Sequence, residues 1–392
     1  MREVVIASGA RTAIGRSGGT LSGVPAIELG EIVIRELLLK AKIRPEKVDE
    51  LIMGNVLQAG LGRNPAGVAA ARAGISQYSP SLTVSKVCGA GMKAVIMAAQ
   101  TVKSGDADIV VAGGMENMSA ASNLFPQPGQ GDKGNSEKVI DPMIRDGIWC
   151  SFGNSDLGTT LENIGETFNV SRAEQDKYAA NSHQKAQAAI TNGRFSDEIV
   201  PVRVPQEKGD PVVFDTDENP RFDTDVEKLA KLKPTFSRDG TITAGNSSGI
   251  ADGASALLIM SAERAFKMGI RPMAKIVGYD YHWCEPELMG YGPIYAVRGA
   301  LHKMRGKLDK QIDLVELNET FAAQTVVSIR ELNLDPEIVN VNGGAIALGH
   351  PIGSSGARIL TTLLYEMQRR DVKVGLAAGM GIACVVERDW YF

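Results

Sequence analysis

The sequence is short of cysteine: four in 392 residues (Cys88, Cys150, Cys284 and Cys384), widely spread and with no C-x-x-C. With no paired-histidine spacing either, a disulfide framework and a structural zinc site are both excluded, and no metal is expected. No apolar run approaches the roughly 20 residues of a membrane-spanning helix, so no membrane partner is expected. Basic charge is not in surplus, the net charge being −4, and nothing suggests a nucleic-acid partner. No G-x-G-x-x-G follows the first strand pattern, which weighs against a nucleotide-dependent oxidoreductase. Met1-Arg2-Glu3 runs straight into an apolar strand without a secretory leader, and Asp389-Trp390-Tyr391-Phe392 is not a peroxisomal address. The cytoplasm is therefore the expected compartment.

The residues that are present, 44% hydrophobic and 22% charged, fit a globular enzyme, and the length predicts two or three domains. Residues 4–7 read as a buried strand and 11–15 as the loop after it. Pro25 opens a helix with Ala26, Leu29, Val33 and Leu37 on one face, residues 51–53 form a short strand, and Asn64-Pro65 starts a second helix. A strand then runs up to Cys88, a helix continues to about Lys103, and residues 108–112 form another strand. This alternation predicts a mostly parallel sheet covered on both faces. The same order recurs: strand 275–279, a helix from Pro293, strand 313–317, helix 321–332, strand 339–341, helix 355–369, and strands near 374–377 and 382–386. An internal duplication in an α/β fold follows.

Residues 117–249 differ in texture. Residues 127–134 form a glycine-rich loop, Ser171 to Glu174 is a capping box opening a helix through 189, and the acid-rich 214–225 reads as a solvated excursion. Residues 255–260 are a strand that returns to the first sheet. The expected organisation is a first half of 1–116 with 250–270, an insertion of 117–249 lying over the strand ends, and a second half of 271–392.

Chemistry concentrates in four segments. Residues 81–93 end an apolar, β-branched run at Cys88, follow it with Gly89 and Gly91, and begin a helix (Met92, Val95, Ile96, Ala99). The free N–H groups and dipole of that helix are expected to lower the Cys88 pKa and make it a nucleophile; the alternative is a buried, inert thiol. Asn318 follows a strand and precedes a helix. Residues 342–351 are a glycine-rich loop delivering His350, which Pro351 keeps extended. Residues 244–249 are small enough to let a long ligand near the backbone. A cap (Asn318), a satisfied loop histidine (His350) and simple turns are the bland readings. Two glycine-laden loops at equivalent places in the two halves, one with Cys and one with His, favour a nucleophile–base pair. His183 and His302 read as solvated surface, and the His282-Trp283-Cys284 run as packing in preference to a pocket wall.

The runs 84–95 around Cys88, 318–324 (Asn-Glu-Thr-Phe-Ala-Ala-Gln) and 343–351 (Gly-Gly-Ala-Ile-Ala-Leu-Gly-His-Pro) resemble the signatures of the thiolase family, and the resemblance extends over essentially the whole chain. It implies a thiolase-like pair of duplicated α-β-α-β-α half-domains with an inserted loop domain, assembled as homodimers or homotetramers. It implies acyltransfer that makes or cleaves acetoacetyl-CoA by ping-pong chemistry through an acetyl-Cys88, with acyl-CoA thioesters as substrates and no cofactor. His350 would activate the thiol, and Asn318 with His350 would stabilise the thioester enolate through a water. The backbone N–H groups of Cys88 and Gly379 would serve the acyl-enzyme oxygen. Ser248, Arg221 and Leu157 fall at coenzyme A contacts, and Phe236 and Phe321 along the pantetheine tunnel.

Three departures accompany the resemblance. Asp156-Leu157-Gly158 stands where His-Met-Gly is common, and Thr320 stands where Ala is usual. The family's second catalytic cysteine has no counterpart, as though a short stretch before Gly379-Met380-Gly381 were removed. A thiolase-fold protein that binds acyl-CoA without turnover is the alternative that this gap raises.

Overall fold

The computed structural model describes residues 2–125, 139–304 and 311–388. The glycine-rich loop expected at 127–134 and the last four residues lie outside them. The first half contains β1 (Val4–Thr12), α1 (Ala26–Lys40), β2 (Glu50–Gly54), α2 (Pro65–Arg72), β3 (Ser81–Val84), α3 (Ala90–Ser104) and β4 (Ile109–Asn117). The insertion carries α4 (Leu157–Thr167) and α5 (Arg172–Thr191), and β5 (Ala251–Ser261) returns to the sheet. The second half has β6 (Ala274–Tyr281), α6 (Gly292–Lys303), β7 (Leu314–Leu317), α7 (Ala322–Glu331), α8 (Ile352–Arg370), β8 (Val374–Gly379) and β9 (Ile382–Glu387).

The duplication is written in the strand order β7-β8-β9-β6-β1-β5-β4-β2-β3. Reading outward from the β1–β6 contact at the centre, each half runs through two antiparallel pairings and then parallel ones. The sheet is therefore mixed, not mostly parallel: the last strand of each repeat lies beside its predecessor and runs antiparallel to it. The counterpart of β3 in the second half is a single bridge, Val315 to Val339, in place of the expected strand 339–341. Asn340 explains this. Its backbone turns left-handed (φ 45°), and its side-chain amide accepts from Leu317 N (2.8 Å) and donates to Leu317 O (3.0 Å), doing what a neighbouring strand would do.

Apolar clusters define five layers. On one side α1 and α2 cover the first half's strands; α3 and α8 together fill the space between the two sets of strands; α6 covers the second half's strands on the far side. The insertion leaves at the end of β4 and re-enters at β5, where Asn117 and Asp252 are register partners.

Two sequence expectations fail around Arg11. β1 continues through Thr12 instead of ending in a loop, because Arg11 is fully buried between Glu198 (2.6 Å) and Asp217 (2.8 Å). Asp217 comes from the acidic stretch expected to be solvated, so that excursion is anchored through the core. His183 is likewise buried, not a surface residue: its Nδ1 accepts from Arg221 N (3.2 Å), and burial with the nearby Arg221 charge lowers its pKa to about 4. His302 lies exposed at the end of α6, as expected.

Candidate active site

The chain leaves β3 and reaches Cys88 through Val87, a β-branched residue held at φ 48°, a left-handed conformation that costs on the order of 1–3 kcal/mol. Cys88 then sits two residues ahead of α3. His350 sits two residues ahead of α8, after Gly349 at φ 98° and before Pro351, the N-cap of that helix. The two helix starts meet backbone to backbone. A Cβ added at Gly91 would lie 2.9 Å from Ala357 N and 3.0 Å from Gly353 O, and one at Gly356 2.5 Å from Met92 N. Glycine at these places is what lets α3 and α8 approach closely enough to share one site.

Around Cys88 the environment is apolar: it packs with Leu57, Met118 and Ile352, and with Ile250, which bridges to His350. Burial pushes the Cys88 thiol up to about 12, against the pull of its own backbone N–H and the Lys86 charge. The expected lowering by the helix dipole is thus overridden, because desolvating a thiolate costs more than one N–H and a half-buried lysine return. His350 is also buried, and burial plus the Arg358 charge lower it to about 3. The resting groups are a neutral thiol and a neutral imidazole. No hydrogen bond joins them among the described residues.

The imidazole tautomer follows from proton counting. Ser355 Oγ donates its one proton to Pro351 O (2.9 Å), so at 2.6 Å it must accept from His350 Nδ1–H. Nε2 therefore carries the lone pair, and it faces Asn318 Nδ2 at 3.4 Å. Asn318 Nδ2 also donates to Thr320 Oγ1 (3.1 Å), so the unexpected threonine holds the amide that reaches the histidine. Asn318 Oδ1 is buried without a protein partner. Gly379 lies against Asn318, where a Cβ would come within 2.7 Å of Asn318 Cβ.

Two buried carboxylates hold these segments, and the sequence reading missed both. Glu319 accepts from Tyr178 (2.8 Å) and Ser182 (2.7 Å) of α5, from Asn340 Nδ2 (2.7 Å) and from Ile346 N (3.1 Å), tying Asn318, the His350 loop and the insertion together. Glu116 accepts from Asn55 Nδ2 and from the N–H groups of Val56, Leu57 and Gly353, and burial raises it to about 7. Ser355, five residues past His350 on its helix, was also missed. The signal available was a serine in the first turn of a helix that a histidine precedes.

Of the residues assigned to coenzyme A, Phe236 and Phe321 meet edge to face (6.0 Å, 73°) in one apolar cluster with Leu157. Gly158 leaves room for the Phe236 ring, since a Cβ there would lie 2.1 Å from it. Ser248 bonds Thr320 O through both N and Oγ (3.0 Å each), beside Phe321. Arg221 is exposed, and its backbone N–H donates to His183 Nδ1. Gly379 and Ile382 are the closing pair of a two-residue hairpin, Met380-Gly381, with φ of 33° and 71°. The position where the family's second cysteine was sought is thus a tight turn. His282, Trp283 and Cys284 line a cavity beside that turn, not a packed core as expected.

Among the described residues no helix is long and apolar enough to cross a membrane. Residues 4–263 match the family model for the thiolase N-terminal domain, and residues 270–388 that for the thiolase C-terminal domain. An acetyl-CoA acetyltransferase of Pseudomonas aeruginosa is 51% identical over 99% of this chain and 100% of its own length. That of Cupriavidus necator is 48% identical over the same shares, and a probable acetyl-CoA acyltransferase of Staphylococcus aureus is 47% identical, also over 99% and 100%. The crystal structure of the Bacillus anthracis acetyl-CoA acetyltransferase superposes with a TM-score of 0.95 at 40% identity, covering 99% of each chain. The chain belongs to the thiolase family.

Proposed function

We propose that this protein is an acetyl-CoA C-acetyltransferase, joining two acetyl-CoA into acetoacetyl-CoA and coenzyme A, or running the reverse. The observation that carries the reading is the meeting of two helix starts, one headed by Cys88 and the other by a histidine whose free Nε2 lone pair is fixed by Ser355. Full-length relatives named for that activity support it. The reading of an acyl-CoA binder without turnover finds no support in them.

His350 Nε2 takes the Cys88 proton as the thiolate attacks the thioester carbonyl. The C–S bond to coenzyme A breaks, and the leaving sulfur takes that proton from His350. A second acetyl-CoA then loses an α-proton to His350; its enolate carbon attacks acetyl-Cys88, and the Cys88 thiolate leaves and recovers the proton. Neutral resting groups suit this sequence, since His350 is empty-handed at the start of each half. Asn318 with His350 holds the water that stabilises the enolate, and the Cys88 N–H, with that of Gly379, serves the acyl-enzyme oxygen. Leu157, Phe236 and Phe321 flank the pantetheine arm, with Ser248 and Arg221 as its polar contacts. The chemistry uses only protein groups and coenzyme A thioesters, with no resident cofactor or metal, in a cytoplasmic homodimer or homotetramer. Supplying free coenzyme A with acetoacetyl-CoA and counting acetyl-CoA tests the reading: two per acetoacetyl-CoA consumed supports it, and no cleavage overturns it.

A further inference from the structure

Gly349 stands directly before His350 at φ 98°, a backbone conformation open to glycine and strained for other residues. The aim of the imidazole depends on what holds the two peptide planes flanking this glycine. The plane after it is held by His350 N, which donates to Gly249 O (2.9 Å). The plane before it is held at both ends. Gly349 N donates to Ala345 O (2.9 Å), closing the single helical turn Ala345–Leu348, and Leu348 O accepts from Asn219 Nδ2 (2.9 Å). A four-residue turn is marginal by itself, so the bond within it is a weak anchor. Leu348 is fully buried, and the turn ends there, leaving its carbonyl without a partner inside the helix. Asn219 supplies the missing donor.

Asn219 is itself fixed from a distance. Two residues earlier, Asp217 takes both terminal nitrogens of the Arg11 guanidinium (2.8 and 2.9 Å) and accepts from Ile14 N (2.8 Å). Glu218 N then donates to Ile14 O (3.2 Å). A buried two-pronged ion pair tolerates little displacement, so the core sets where Asn219 stands. From there the amide lies against Gly349, where a Cβ would come within 2.7 Å of Asn219 Nδ2 and 3.1 Å of Ile14 Cγ2. Its Oδ1 faces Gly249, 3.7 Å from that residue's Cβ position. One half-buried side chain occupies the junction of the segment that carries His350 and the segment that grips its main chain.

We propose that Asn219 is a positioning residue for the reaction: by holding Leu348 O it fixes the Gly349 turn that aims His350 Nε2, with the Arg11–Asp217 pair as its anchor. It acts through His350 and not on the substrate. Without its N–H the buried Leu348 carbonyl lacks a partner, and the peptide plane before Gly349 turns to find one, carrying the imidazole off line. The inference rests on His350 serving as the base for Cys88 and names what aims that base.

The test is single-turnover acylation of Cys88 by acetyl-CoA in the full chain, read by intact mass. Asn219→Ala is expected to lower the maximum acylation rate about tenfold, the equivalent of one hydrogen bond, while the half-saturating acetyl-CoA concentration changes less than about twofold. Asn219→Asp keeps the shape but has no proton to donate at neutral pH, so it should lose at least as much. In a His350→Asn background Asn219→Ala should cost nothing further, because the two residues act in one path. Alkylation of Cys88 by iodoacetamide in the alkaline range should stay within about twofold of the parent protein, since the nucleophile's surroundings are untouched. Should Asn219→Ala fail to fold, Asn219→Asp, alone and with His350→Asn, carries the same comparison. An undiminished rate in either Asn219 variant overturns the proposal. So does a loss confined to the half-saturating concentration, or a full further tenfold loss on top of His350→Asn. Slow acylation by His350→Asn in those cases leaves the base reading standing; acylation by His350→Asn at the parent rate sinks both.

Discussion

The Cys88 half and the His350 half use the same device, a reactive residue placed two positions ahead of a helix, and furnish it in opposite ways. Cys88 is reached through a left-handed valine and surrounded by Leu57, Met118 and Ile352, with only its own N–H and the charge of Lys86 favouring the thiolate. His350 is held by Ser355, faced by Asn318, and backed through Glu319 by α5 and the Ile346 amide. The polar half is organised before substrate arrives; the apolar half waits for an acyl group. A helix N-terminus alone thus does not make a thiolate when burial is complete.

The sharpest way to break the comparison is to remove one partner at a time. Cys88→Ser should abolish acyl transfer, a loss on the order of 10⁴-fold or more, with the fold unchanged by circular dichroism. His350→Asn should slow acylation by a factor on the order of 10²–10⁴ in single-turnover measurements. Because burial raises the Cys88 pKa and the thiol keeps its proton at neutral pH, alkylation by iodoacetamide should be slow at pH 7 and climb about tenfold per pH unit across the alkaline range. Fast alkylation with a plateau near neutrality would show that the two halves form a resting ion pair. Ser355→Ala, which frees the imidazole tautomer, should cost about tenfold in acylation rate, the equivalent of one hydrogen bond. Gly91→Ala, which forces a methyl between α3 and α8, should lower stability by about 1–3 kcal/mol in denaturant titration.

Much of the architecture is legible in the sequence, because repeated strand–helix order, Pro25, Asn64 and the Ser171 capping box are local signals. Cys88, Asn318 and His350 stand out for the same reason, each a few residues ahead of a helix start. Strand direction is not legible, since antiparallel return strands and parallel crossovers look alike when both faces are buried. The long-range pairs are hidden as well. Arg11 looks like a loop residue until Asp217, more than two hundred positions away, is seen beside it. The Cys88 pKa is misjudged from sequence because the dipole is local and burial is not. Thr320 reads only as a departure from the family's usual Ala, but it is a hydrogen-bond partner of Asn318.

The central claim is that Cys88 carries an acetyl group with His350 as its base, and acetoacetyl-CoA supplied without free coenzyme A tests it most directly. The account predicts one acetyl group on Cys88 by peptide mapping, one acetyl-CoA released for each acetyl bound, and discharge of the label as a second acetyl-CoA when coenzyme A is added. An unlabelled protein with acetoacetyl-CoA intact, or an acetyl group on Cys150, Cys284 or Cys384 instead, would contradict it.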